Sequence, residues 1–418
     1  MVTAHALAEP QSTPELDVEP PAPSRQTHVV AAVAGVVAMV VAGLIVRGSL
    51  VDHLKSDFRS HMVFTDIGIR TGNFPGNGLF YWVNALLAGW SPDRGLLLRS
   101  LYVVLAVATG VKVWLSVMFA DWAYRRRMFG QLPVWGGVAA ALCSIAMSLP
   151  VPTWRFPEHS RNYLGQVSPN VWHNSTTMFL MPLALALFWV SLEWLRSGQR
   201  RLLWIMVPLV LLNALAKPSF LFCFVVVFPV AALIRYRVSW RTFGAWVVTG
   251  LAGLSVLALY LYIYFSPEGD AAALAGTKSA SGADHVVVDP FWVWHQFSEN
   301  IPLSFLASYL FPIVALAVGG AAIYRRTSVR YAAALAVVGL LWFVLVREQG
   351  PRELHGNFLW QAIVANFLLF LALVSAIVPW LRENAFRWRQ AVVVLAFGVH
   401  VLAGFRYIEM WYTFGSFF

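Results

Sequence analysis

Charge is the scarcest property of this sequence. Asp, Glu, Lys and Arg make up 12% of its 418 residues, against about 25% in an average soluble domain. A fully water-exposed surface cannot be built from so few charges. Cysteine is almost missing: Cys143 and Cys223 are the only two, each inside an apolar run. They read as buried small hydrophobes rather than as a disulfide or a metal pair. The signatures of soluble catalysis are also missing. There is no Walker A loop, no GxGxxG opening a helix, no HExxH and no GxSxG. These gaps argue against an ATP-driven transporter and against a cytosolic nucleotide sugar as a substrate.

What fills the chain instead is apolar. Hydrophobic residues make up 59% and the mean hydropathy is +0.66, with 19 Trp and 29 Phe to furnish interfacial belts. Apolar stretches recur near 29–49, 99–122, 132–150, 173–195, 202–217, 219–235, 242–265, 302–323, 331–347, 358–380 and 390–407. The expected fold is all-α, a polytopic transmembrane bundle of about eleven spans. The run 78–90 is too short to cross and reads as an interfacial or re-entrant helix in the first external loop. Residues 1–27 carry five Pro, four acids and no apolar period. They read as a disordered cytoplasmic tail, and 28–418 as one transmembrane domain with an uncleaved first anchor.

A net charge of +10 raises the possibility of nucleic acid, but its distribution excludes it. Half of the 30 basic residues lie in five short clusters, at 125–127, 196–201, 235–241, 325–330 and 382–389. The clusters occupy alternate connections. The positive-inside rule then puts all five, and the N-terminus, in the cytoplasm of a bacterial inner membrane. The opposite connections are longer and hold more than half of the acids, with His53, His61, His159, His173, His285, His295 and His355 in or beside them. Chemistry is expected on that extracytoplasmic face.

Three stretches there carry reactive side chains. Asp57 and His61 lie four apart just after the first span, which puts them on one face of a helix. Asp57 suits a general base, with His61 as its partner and Asp66 as a second carboxylate. The bland alternative is a solvated acid paired with Lys55 or Arg59. Residues 168–177 crowd Asn170, Trp172, His173 and Asn174 at a helix mouth. Any of Asn174, Ser175 or Thr176 could cap that helix, whose free N–H groups suit a phosphate. Lys217, at a Lys-Pro turn between two spans, either snorkels or meets a lipid phosphate. Segment 347–360 adds Glu348, Arg352, His355 and Asn357, with Arg352 best suited to grip a phosphate through two hydrogen bonds. Segment 266–300 reads as a mobile lid. Lys112 sits mid-span, in a buried ion pair or facing a lumen.

An external loop with an early Asp, an interfacial helix after it and about ten further spans resembles the GT-C glycosyltransferase superfamily, with Asp57 at the position of the family's first-loop acid. The likeness covers the architecture of most of the chain but few motifs. The Pro-rich acidic tail and Ala/Val/Arg-rich spans resemble actinobacterial sequences. The resemblance implies an inverting hexosyl- or pentosyltransferase. Its partners would be a polyprenyl-phosphate sugar, a glycan or glycolipid acceptor and membrane lipid, with no nucleic acid. Many members pair acids in the first loop, so a divalent cation, Mg or Mn, is the one candidate cofactor, with Asp66 or Glu348 as second carboxylate. Competing expectations are an envelope glycan polymerase or ligase, and a transporter or flippase of lipid-linked sugars.

Overall fold

The computed structural model describes residues 22–51, 56–148, 150, 166–265, 285–298, 300–350, 353–354 and 356–415. In chain order the first elements are α1 (Arg25–Val51), α2 (Phe58–Thr71), α3 (Leu79–Leu87), α4 (Arg94–Met128), α5 (Val134–Ile145), α6 (Ser175–Ser197), α7 (Arg200–Ala216), α8 (Ser219–Tyr236) and α9 (Trp240–Phe265). There follow β1 (His285–Val288), α10 (Trp292–Phe297), α11 (Ile301–Gly319), α12 (Ala321–Tyr324), α13 (Thr327–Leu345), β2 (Val346–Gln349), α14 (Leu359–Glu383) and α15 (Trp388–Phe414). Over the described residues the protein is all-α, 80% of them helical. Among the described residues one small sheet pairs β1 with β2 antiparallel, Val286 opposite Glu348 and Val288 opposite Val346.

Nine helices, not eleven, are long and apolar enough to cross a membrane among the described residues: α1, α4, α6, α8, α9, α11, α13, α14 and α15. The two expected spans that fall short are α5, with 12 residues, and α7, with 17. Hydropathy sums apolar residues without asking whether they are helical. At 132–150 the helix ends at Ile145 and the apolar run continues as non-helical chain. The short α7 still joins the two ends of the bundle, because Leu203 packs at Gly244 in the first turns of α9 while Lys217 reaches the start of α6. Helix α1 begins at Arg25, inside the stretch read as tail, where the Ser24 hydroxyl accepts the Thr27 N–H.

The bundle has two chemically different ends. At one, Asp121 is buried between Arg125 Nε at 2.5 Å and the Thr27 hydroxyl at 2.9 Å. There Arg126 pairs with Glu193 at 2.9 Å and Arg127 with Glu383 at 2.7 Å, tying α4 to α6 and α14. At the other end lie α2, α3, α10 and the small sheet. Every residue of α14 from Leu359 to Trp380 is buried. A helix apolar on all sides can be stable only as the centre of such a bundle. Conversely, Val29, Val33, Val36, Val37, Val40 and Leu44 form an exposed stripe along α1, the pattern of a face turned to lipid.

Beyond Ile145, Met147, Ser148, Gln166, Val167, Ser168 and Asn170 are buried without helical hydrogen bonds of their own. Such backbone survives at membrane depth only where protein groups satisfy it. The Asn170 amide donates to the carbonyls of Cys143 and Met147, both at 2.9 Å. His400 Nε2 accepts the Phe311 N–H at 3.2 Å, so its other nitrogen carries the proton and donates to the Ser148 carbonyl at 2.7 Å. Asn366 donates to the Val167 carbonyl at 2.6 Å. It also reaches the Ser308 carbonyl, which Pro312 four residues later leaves without its helical donor. Lys112 donates to Asn170 Oδ1 at 2.9 Å and lies over the Phe367 ring. It is therefore in no buried ion pair among the described residues. Its partner is an amide. Cys143 and Cys223 are buried and free.

Candidate functional site

Helix α2 presents Phe58, Met62, Thr65 and Gly68 to the bundle, a three-to-four-residue spacing that fixes which face is buried. Asp57 stands at its N-terminal boundary, yet its side chain makes no cap for α2. It turns instead to the N-terminus of α6. Its own N–H donates to the His173 carbonyl at 3.1 Å. Its Oδ1 accepts the Ser175 N–H at 3.2 Å and the Ser175 hydroxyl at 3.4 Å. Its Oδ2 accepts the Asn174 amide at 2.5 Å and faces His61 Nε2 at 3.2 Å. The carboxylate thus sits at the positive end of a 23-residue helix. Burial alone would raise its pKa. The charge and hydrogen bond of His61, then His173 and the Ser175 N–H, outweigh that and hold it below the ordinary 3.8. Its side chain remains 28% exposed, open to an incoming molecule.

Asn174 is the hub of this cluster. It caps α6 through Oδ1, which accepts the Thr177 N–H at 2.9 Å and the Thr177 hydroxyl at 2.6 Å. The same oxygen accepts Lys217 Nζ at 3.0 Å. With donors crowding one side and a carboxylate on the other, only one orientation of the amide is possible. Lys217 also donates to Thr177 Oγ1 at 2.8 Å and lies 4.2 Å from the centre of the Trp360 ring. Burial pulls its pKa down to about 7, with Asp57 pulling the other way. Burial likewise lowers His173 to about 4, leaving a neutral imidazole beside Tyr407, whose hydroxyl is 3.4 Å from Nδ1.

His61 is fixed from both sides. Its Nδ1 lies 2.7 Å from the hydroxyl of Tyr81, a buried residue of α3. Because Asp57 is ionised, Nε2 must carry the proton it shares with that carboxylate. In this tautomer His61 holds the carboxylate in place from the α2 side.

The structure thus brings together Asp57, His61, His173, Asn174 and Lys217, from α2, the approach to α6 and the α7–α8 turn. Other expected residues lie elsewhere. Asn170 faces inward, and its amide holds the chain after α5. Asp66 pairs with Arg70 at 2.8 Å on the exposed side of α2. Glu348 is buried on β2, where Asn357 donates to it at 2.5 Å. Next to it Arg347 pairs with Asp289 at 2.8 Å and stacks on Trp292. Arg352, His355 and most of the proposed lid, 266–284, lie outside the described residues. Tyr81, Thr177, Trp360 and Tyr407 are additions that sequence reasoning did not single out as site residues. The aromatic run at 79–82 and the cap at 174–177 held a signal for two of them. Nothing in the sequence marks Tyr407, which is one aromatic within a span.

The donor set does not suit a divalent cation. Both Asp57 oxygens accept hydrogen bonds from protein donors, and Asp66 and Glu348 are engaged with other partners. Among the described residues no three His, Cys, Asp or Glu side chains converge to hold a metal. No protein-family model matches the sequence, and no curated protein matches it.

Proposed function

We propose that the chain is a membrane glycosyltransferase. It moves a sugar from a polyprenyl-phosphate donor to an envelope glycan or glycolipid acceptor, on the extracytoplasmic face of a bacterial membrane. The observation that carries this reading is the pairing of one fixed, part-exposed carboxylate with one cation. Asp57 and Lys217 are bridged through the two ends of the Asn174 amide.

The chemistry follows from that pairing. An acceptor hydroxyl has a pKa far above 7, and it becomes acidic only as its oxygen bonds to the anomeric carbon. Asp57 takes the proton at that moment. The bond from the anomeric carbon to the phosphate oxygen breaks as the new bond forms, so configuration inverts. The departing lipid phosphate carries the charge, which Lys217 offsets. The α6 mouth does not serve as the phosphate site in this scheme, because Asp57 and Asn174 already use its first N–H groups. The GT-C resemblance of the sequence supports the same assignment by analogy.

A second reading, a transporter of lipid-linked sugars, is favoured by one observation. The chain is non-helical just after Ile145 and again at 166–174, where it is buried beside polar neighbours, a pattern seen at transport sites. The reading ranks second because Lys112, Asn170, His400 and Asn366 are engaged with one another or with that backbone.

The experiment compares cells with and without the gene, and cells carrying Asp57→Asn, after feeding radiolabelled polyprenyl-phosphate sugar. Loss of one glycan with build-up of its unextended acceptor, in both deletion and variant, is the expected result. Undiminished product in Asp57→Asn removes the base. Lipid-linked sugar trapped on one face of the membrane makes the protein a transporter.

A further inference from the structure

The far end of the bundle carries a feature that the proposed reaction does not use. Two helical hairpins, α6–α7 and α8–α9, meet there. Tyr236 donates its hydroxyl to the Trp194 carbonyl at 2.9 Å, and the guanidinium of Arg241 closes over Gly198 and the Tyr236 ring. This packing gathers Arg200, Arg201, Arg235, Arg237 and Arg241 at one corner, all exposed. Among the described residues none of the five is within ion-pair distance of a carboxylate. Arg201 bonds the Gln199 amide and Arg235 the Leu195 carbonyl. The nearby Glu193 is already shared by Arg126 and Arg196.

Between these arginines large apolar side chains face outward. Trp204 is 77% exposed and Trp240 87%, with Ile234, Val238 and Phe243 beside them. The corner is also on the perimeter. Only 11% of the apolar window of α9 is buried within the protein, so the remainder of that helix meets lipid. Arginine forks over exposed indoles at a lipid-facing corner match a phosphate headgroup with its glycerol and first methylenes. A soluble acidic partner would need the positive charge without the Trp and Ile side chains that project around it.

We propose that this corner is a binding site for an anionic phospholipid, held by Arg200, Arg201, Arg237 and Arg241 with Trp204 and Trp240 against its acyl–headgroup boundary. Near an anionic surface each Arg contributes about fivefold to affinity. Removing two should therefore cost about 25-fold. The site is independent of the chemistry at Asp57.

The test is native mass spectrometry of the purified full-length protein with equal phosphatidylglycerol and phosphatidylcholine. The wild type should retain phosphatidylglycerol selectively. Arg200→Gln/Arg201→Gln and Arg237→Gln/Arg241→Gln should each lose about 25-fold of that retention, with phosphatidylcholine unchanged. Two separate pairs guard against one failing to fold, and Arg→Lys at the same positions should restore much of the binding. Equal retention of the two lipids by the wild type overturns the proposal. So does undiminished phosphatidylglycerol in both pairs. Displacement of the lipid by millimolar inorganic phosphate would make this a small-anion site and overturn it too.

Discussion

Asn174 donates to Asp57 across 117 residues of sequence at 2.5 Å, and with its other end it caps α6 and receives Lys217. One amide therefore holds a carboxylate, the base of the proposed reaction, and an amine at a set separation while finishing a helix. Replacing it separates these roles. Asn174→Ala should lower stability by about 1 kcal/mol through the lost cap. Transfer should fall by far more than the thermal shift accounts for, since Asp57 and Lys217 lose their common anchor. Asn174→Asp should be worse, because two carboxylates would then meet at hydrogen-bond distance and raise each other's pKa. Thermal unfolding beside transfer rate checks both. A variant whose activity falls only in step with its stability would show that Asn174 is a cap and nothing more.

Tyr81 offers a cleaner test of the His61 assignment, because its hydroxyl meets the ring nitrogen opposite the one that faces Asp57. Tyr81→Phe removes the hydroxyl that occupies Nδ1 and leaves the imidazole held only through its Nε2 contact with Asp57. The expected outcome is a fall in kcat with little change in KM, together with a changed His61 signal in nitrogen NMR of selectively labelled protein. An unchanged His61 signal in Tyr81→Phe would mean that Asp57 alone sets the ring.

Lys217 gives the site a pH dependence whose sign is fixed. With its folded pKa near 7, against 10.5 when unfolded, the folded protein holds fewer protons than the unfolded one between those limits. This group's contribution to stability therefore rises with pH across that window. Its full cost is present below about 7. Binding of a phosphodiester, which does not itself titrate there, recharges the amine and takes up a proton above pH 7. Affinity should then weaken by up to about tenfold per pH unit above 7, and Lys217→Gln should abolish the dependence. Calorimetry in two buffers of different ionisation enthalpy reads the proton directly. His173, at about 4, should stay neutral throughout.

The chain after α5 should fail through its polar ties. Asn170→Ala orphans the carbonyls of Cys143 and Met147 and removes the partner of Lys112. Each unsatisfied buried group costs about 1–3 kcal/mol, so this variant should be among the least stable. Lys112→Met together with Asn170→Ala should be less damaging than the sum of the two single changes. Additive losses in the double-mutant cycle would show that Lys112 and Asn170 do not act as a pair.

Close helix approach supplies the last prediction. A Cβ at Gly404 would land on the Ala146 carbonyl, and one at Gly339 would lie 2.9 Å from the Gln361 carbonyl. In both cases the obstacle is backbone, which cannot rotate away. Gly404→Ala and Gly339→Ala should each reduce the yield of folded protein markedly. Gly250→Ala, where nothing lies within 4 Å, should be silent. Size-exclusion profiles of the three variants decide this.

Composition and periodicity by themselves determined a helical, multi-pass membrane bundle. Length and apolarity suffice for that, because a spanning helix satisfies its own backbone wherever it sits. The sequence also placed Asp57 and His61 on one helical face and limited the α6 cap to Asn174, Ser175 or Thr176, since both are local relationships; the structure selects Asn174. Everything that joins distant segments was decided by tertiary structure. Hydropathy could not see that the apolar run at 132–150 stops being helical at Ile145, because the groups that make this tolerable, Asn366 on Val167 and His400 on Ser148, come from 199 and 252 residues further along the chain. Nor could it tell that Lys112 meets an amide, or that Asp57 turns from its own helix to the start of α6. Those outcomes depend on which buried polar group finds which partner, and no single segment contains that information.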